Sequence, residues 1–149
     1  MNVGEICSRI VVVAEGNTPV QQAARLMRDN HIGALVVTEG SAAARRAVGI
    51  VTDRDLVVEV LAADVDYRKL SVGDIMSERP ASVKETATVF ETIAHMRSGG
   101  VRRLVVVDAN ERLVGVVAMD DLIPVLAEEL SALAQAIKVE QRQEAKRRR

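Results

Sequence analysis

The chain matches itself, and this self-similarity limits its fold more than any other feature. At a shift of 69, Val3-Gly4-Glu5-Ile6-Cys7-Ser8 falls on Val72-Gly73-Asp74-Ile75-Met76-Ser77. Val20 then meets Val89, Met27-Arg28 meets Met96-Arg97, and Leu35-Val36-Val37 meets Leu104-Val105-Val106. A three-residue difference in one loop changes the shift to 66, after which Val48-Gly49-Ile50-Val51 meets Val114-Gly115-Val116-Val117 and Asp55-Leu56 meets Asp121-Leu122. Ordered identities in several separate blocks mark an internal duplication. The copies span residues 3–62 and 72–130, with a connector at 63–71 and a C-terminal extension at 131–149.

Each copy is expected to run strand, helix, strand, turn, strand, helix. In the first, Thr18 is placed to cap a helix with Pro19 at its first position and Gln21 three residues after the cap; Val20, Ala23, Ala24 and Met27 form the buried stripe. Asn30 suits a left-handed exit. In the second, Thr88 and Glu91 give a similar capping signal, Val89, Ile93 and Met96 the stripe, and Gly99 occupies the position of Asn30. Ala34 to Thr38 and Leu104 to Val107 read as strands, each followed by a turn and a glycine-containing strand. Two strands joined directly and a third reached across a helix make a small mixed sheet with helices on one face, an α/β (α+β) architecture. Neither copy is expected to be stable alone.

The chemistry concentrates where the glycine strand ends. Val48 to Val51 is too short and too β-branched for a helix, while Leu56, Val57, Val60 and Leu61 recur at the spacing of a helix face, so Thr52 and Asp55 sit at a helix mouth. Two readings fit. In one, the Thr52 hydroxyl and the Asp55 carboxylate form a capping box. In the other, Thr52 and the free amides of the helix N-terminus hold a phosphate, and Asp55 accepts from ribose hydroxyls.

Composition narrows the function. With 149 residues and 48% hydrophobic content the chain can bury a core and is expected to be soluble. Cys7 is the only cysteine, which excludes an intramolecular disulfide and fits a reducing, cytoplasmic setting; His31 and His95 lie far apart in sequence. No run approaches the roughly 18 apolar residues of a membrane span. Tyr67 and Phe90 are the only aromatics, too few for a stacking platform for single-stranded nucleic acid, so a bound purine would sit between aliphatic side chains. No nucleophile–base pair, metal-ligand cluster or glycine-rich phosphate loop is visible, and the chain is not expected to be an enzyme.

The element order, the duplication and the Gly49-Ile50-Val51-Thr52-Asp53-Arg54-Asp55-Leu56 stretch together resemble a CBS domain pair, or Bateman module, over about residues 3 to 130. The resemblance implies two β-α-β-β-α units packed sheet to sheet, with a cleft that takes adenosine-type ligands such as AMP, ADP, ATP or S-adenosylmethionine. It places the phosphate-side hydroxyl at Thr52 and the ribose-binding acid at Asp55. In the second copy Asp121 keeps the ribose position, but Ala118 stands where Thr52 does, so the Asp55 cleft is expected to bind more tightly. Arg102 and Arg103 resemble the family's basic pair, which faces phosphates in some relatives; the alternative is a solvated strand end. Cys7 and Met76 are equivalent, which favours packing over reactivity at the cysteine.

Beyond the second copy, Leu126, Leu130, Leu133 and Ile137 follow one another at spacings of four, three and four, one apolar stripe on a long helix that begins near Leu122 and has Pro124 in its first turn. The stripe, together with Val57, Leu61 and Ile123, predicts a homodimer. The last twelve residues carry six Lys or Arg against two Glu, a tail of +4 on a body of −5. This end is read as solvated and complementary to its own helix dipole, without a nucleic-acid role. The expected function is a stand-alone regulatory sensor of an adenine nucleotide acting on a separate partner protein. The alternative is a dimeric interaction module that needs no ligand.

Overall fold

Leu35-Val36-Val37-Thr38 and Leu104-Val105-Val106-Val107 are too uniformly apolar to have one face in water. Both runs are buried along their whole length in the computed structural model, which describes residues 1–148. Arg149, the last residue of the basic end, lies outside the described residues. In chain order the elements are α1 (Val3–Ile6), β1 (Val13–Ala14), α2 (Val20–Asn30), β2 (Ala34–Glu39), β3 (Arg46–Thr52) and α3 (Asp53–Asp55), which runs into a π-helical turn at Leu56–Leu61. The second copy supplies α4 (Val72–Ile75), β4 (Ser77–Glu78), β5 (Ser82–Lys84), α5 (Val89–Gly99), β6 (Arg103–Val107), β7 (Leu113–Ala118) and α6 (Met119–Arg147).

Two sheets form, ordered β1-β2-β3-β4 and β5-β6-β7. In each, the first strand is parallel to the second across a helix, and the second and third are antiparallel neighbours. The period-two alternation of the strands then makes three apolar layers. Leu35, Val37 and Val51 pack beneath α2 with Ala23 and Met27. Leu104, Val106 and Val117 pack beneath α5 and α6 with Met96 and Leu122. Val36, Val105 and Val107 meet between the sheets, flanked by Val13, Ile50 and Val116.

The copies trade their opening segments. Val3 and Cys7 are buried in the second copy's core, where the Val3 and Gly4 amides donate to Ala87 and Glu85 carbonyls at 2.8 and 2.9 Å. Reciprocally, Val72 is buried in the first copy's core, and the Val72 and Gly73 amides donate to Thr18 and Gly16 at 2.8 Å each. Ser8 exchanges backbone hydrogen bonds with Val116 at 2.9 and 3.0 Å, while β4 pairs with β3, Ser77 opposite Ile50. The glycine of each Val-Gly repeat follows from this crossing. A Cβ on Gly49 would lie 2.4 Å from Met76 Sδ, and one on Gly115 would lie 2.6 Å from the Ser8 carbonyl oxygen. The repeat boundaries at 62 and 72 therefore do not divide the molecule in space.

Several local expectations need correction. Helix α2 begins at Val20 with Pro19 at the cap position and no side-chain cap; the Thr18 hydroxyl instead accepts from the Glu15 amide at 3.0 Å in the preceding turn. The connector takes over its task, since the Val20 amide donates to the Leu70 carbonyl at 3.1 Å. The Thr88–Glu91 capping box forms as expected. The left-handed exits fall one residue later than expected, at His31 (φ 54°) and Gly100 (φ 60°), while Asn30 and Gly99 close their helices. Asn30 spends its side chain on the Leu26 carbonyl at 2.9 Å. Helix α6 starts at Met119, so Pro124 stands in its second turn rather than its first.

Gly115→Ala tests the crossing. Because the carbonyl in its way belongs to a backbone paired on Val116, overpacking should cost about 1–3 kcal/mol. A urea titration should show an earlier midpoint at unchanged slope; a midpoint equal to the wild type would mean the segments do not cross as tightly as described.

Candidate functional site

The strand ends that lead into α3 and α6 carry the candidate residues. Ala34 is paired with Thr52, and Arg103 with Ala118, in the same alternation as Val36 with Ile50 and Val105 with Val116. These pairs therefore face the space between the sheets, not the helices. Where each strand turns into its helix, the amide of Thr52 donates to Asp55 Oδ2 at 2.8 Å and the amide of Asp55 donates to Thr52 Oγ1 at 3.2 Å. In the second copy the Ala118 amide donates to Asp121 Oδ2 at 2.7 Å. Ala118 has no oxygen to return the bond.

The capping box exists, and it leaves the ligand chemistry intact. It occupies one lone pair of the Thr52 hydroxyl and one oxygen of each carboxylate. The Thr52 O–H and the second oxygens of Asp55 and Asp121 have no further side-chain hydrogen bond among the described residues. A carboxylate pinned through one oxygen is held in place for a diol at the other.

A cavity of about 490 Å³ opens between the sheets, inside the size range of small-molecule sites, about 300–1,000 Å³. Both copies line it. The first contributes Ile10, Val11, Val12 and His31 to Val36, and the second contributes Arg103, Val116, Ala118, Asp120 and Asp121. Its walls are aliphatic and its charged groups gather at the α6 mouth. Of the five residues singled out in the sequence, Asp121 and Arg103 line this cavity; Thr52, Asp55 and Arg102 do not. Arg102 and Arg103 part company because β6 begins at Arg103, while Arg102 stands at the bend before it, its carbonyl accepting from the Met119 amide at 3.0 Å. Arg102 lies outside, its Nη2 3.9 Å from Asp120 Oδ1, with both side chains about three-quarters exposed, a pair worth little in water.

Sequence reasoning missed Ile10 to Val12 and His31. Ile10 to Val12 reach the Asp121 side because the opening segment of copy one crosses to copy two, a tertiary fact; His31 stands at the left-handed exit of α2, and its alignment with Gly100 was the one signal in the sequence. The repeat maps Ile10 and Asp120 onto Arg79 and Arg54, so the equivalent position beside Thr52 and Asp55 is the more basic of the two. A second depression of about 400 Å³ is built by second-copy residues alone, beside Glu91 and His95, and its Lys84 is already paired with Glu111.

Cys7 is a packing residue. Burial pushes its thiol up from the usual range, and its sulfur lies over Gly115. A raised pKa keeps the thiolate scarce at pH 8, so native protein should react with iodoacetamide many times more slowly than protein in denaturant; equal rates would contradict the packed position. Among the described residues no helix is long and apolar enough to cross a membrane.

A protein-family model described as CBS domain matches residues 3–62 and 72–128. An uncharacterized protein of Methanopyrus kandleri is 33% identical over 125 residues, 84% of this chain but only 62% of that protein's length. Hypoxic response protein 1 of Mycobacterium tuberculosis is 34% identical over 122 residues, covering 82% of this chain and 78% of that protein. A crystal structure of Hypoxic Response Protein I with two coordinated zinc ions superposes with TM-score 0.73 at 29% identity, over 83% of this chain and 98% of that one. Among the described residues here, no three His, Cys, Asp or Glu side chains are grouped to hold a metal ion. CBSX2 of Arabidopsis thaliana, in complex with AMP, superposes with TM-score 0.71 at 23% identity, over 85% of this chain and 96% of that one.

Proposed function

The chain belongs to the CBS domain family, with two copies of the domain, and on that premise we propose that it is a cytoplasmic regulatory sensor whose inter-sheet clefts bind an adenosine-type nucleotide. AMP, ADP, ATP and S-adenosylmethionine are the candidates. The observation that carries this is the cavity between the sheets, with the pinned carboxylate of Asp121 at a helix mouth and Arg103 facing it from β6. The ribose hydroxyls donate to the free Asp121 oxygen, the purine lies against Val11, Val36 and Val116, and the Arg103 guanidinium pairs with phosphate. The Thr52–Asp55 position is the second site, with Thr52 donating to phosphate. CBSX2 supports the capacity of the fold, since it is seen with AMP. At 23% identity it supports the fold alone, and the ligand assignment rests on this chain's own side chains.

The mechanism needs no bond-making. A ligand that touches both copies ties the two sheets together and stabilises the bound arrangement by its own binding energy, which alters how a separate partner protein is held. Thr52 makes the two sites unequal. A hydrogen bond to a charged phosphate contributes about 1.5–3 kcal/mol, so the Thr52–Asp55 site should bind about tenfold or more tightly than the Asp121 site. In calorimetric titrations with the four candidates, Asp55→Ala should remove the tighter event and Asp121→Ala the weaker. Loss of the tighter event with Asp121→Ala alone would reverse the order of the sites. Absence of heat with every candidate would favour the interaction module, which the exposed Val57, Leu61 and Leu130 also support.

A further inference from the structure

The duplication lets one copy serve as a control for the other, and at one place the two differ in charge. In the second copy Lys84, at the end of β5, sends its ammonium to the Asp108 carbonyl at 3.1 Å and to the Glu111 carboxylate. At the repeat shift of 69 the first copy has Glu15 for Lys84, Asn17 for Thr86, Thr38 for Val107 and Glu39 for Asp108. A cation has become a carboxylate, and an apolar wall has gained a hydroxyl. These four residues of the first copy, with Gly16 and Gly40, line a hollow of about 290 Å³.

Register brings the donors together. Lys84 is the cross-strand partner of Val107, and Glu15 stands one step beyond the Ala14–Val37 pair, beside Thr38. Partners in a ladder point to the same face of a sheet on strands about 4.8 Å apart, so the Glu15 and Thr38 side chains are neighbours. Thr38 is 4% exposed, yet its hydroxyl makes no hydrogen bond among the described residues. No side-chain oxygen or nitrogen among them is both sealed from solvent and unpaired, so this hydroxyl opens onto the hollow that Thr38 lines. Glu15 and Glu39 have no ion pair among the described residues, and Arg46, the cross-strand partner of Glu39, makes none with it.

We propose that this hollow binds a hard divalent cation, Mg²⁺ or Ca²⁺. Charge balance sets the valence. In the second copy one ammonium meets one carboxylate, whereas in the first two carboxylates line a space that holds no basic side chain, and a doubly charged ion neutralises both. The donors are all oxygens: two carboxylates, the Thr38 hydroxyl and the Asn17 side-chain carbonyl, with water completing the shell. That set suits magnesium and calcium rather than zinc. An ion here ties the end of β1 to the end of β2. It also braces the loop that receives the second copy's opening segment, since the Gly16 carbonyl accepts from the Gly73 amide at 2.8 Å. The inference does not depend on nucleotide binding.

The test titrates magnesium chloride or calcium chloride into the chelator-treated full chain and follows amide resonances. Residues 15–17 and 38–40 should shift together and saturate, with a dissociation constant of about 10⁻⁴–10⁻³ M, the range of weak calcium modules. The tighter of the two arms identifies the ion. Saturating metal should also raise the thermal midpoint. Glu15→Lys and Thr38→Val each install the residue that the second copy carries at the equivalent place, so the fold has a precedent for both. Glu15→Lys should abolish the shifts and Thr38→Val should weaken binding several-fold, each at wild-type helix content. Saturation that persists in Glu15→Lys, shifts centred instead on Asp120 and Asp121, or no saturable shift with either metal up to about 10 mM would overturn the proposal.

Discussion

Everything in this molecule depends on two short backbone crossings, Ser8 on Val116 and Ser77 on Ile50. Each carries one copy's opening segment onto the other's sheet, and each passes over a glycine that admits no side chain. Every copy therefore completes its core with residues it does not contain in sequence: Val3 for the second, Val72 for the first. Single domains of about 60 residues are marginal in burial, and here the deficit is met by exchange.

The same crossings make the cavity. A sheet that closes on its own helices leaves one face bare, and two such faces meet through Val36, Val105 and Val107. At the strand ends the small residues Ala34 and Ala118 hold the sheets apart less completely than valines would, and the crossing segment at Ile10 to Val12 walls the gap. The pinned carboxylate of Asp121 stands at the rim because the chain turns there from strand to helix. The caps use one oxygen of each carboxylate and leave the other without a side-chain partner, so the observed caps and the proposed ligand contacts call on different atoms of the same residues.

The duplication, the strand runs and the helix mouths were legible because each rests on a local pattern: the repeat shift, β-branched runs, and a carboxylate three residues after the strand end. The exchange was not legible, because nothing local distinguishes a segment that pairs with its own copy from one that pairs with the other. Arg102 and Arg103 are adjacent in sequence, yet only Arg103 belongs to β6 and lines the cavity, while Arg102 stands at the bend before the strand. Thr18 failed as a cap because the connector's Leu70 carbonyl reached the helix amide from elsewhere in the chain. The position of His31 matters as backbone, the left-handed residue that turns α2 into the cavity wall.

The central claim is that an adenosine-type nucleotide lies between the two sheets, and methyl resonances report on that space directly. On titration of AMP into methyl-labelled protein, Ile10, Val36, Ile50 and Val116 should shift in a saturable manner, while the exposed methyls of Leu130 and Leu133 stay in place. Unchanged inter-sheet methyls at millimolar AMP, ADP, ATP and S-adenosylmethionine would contradict the account.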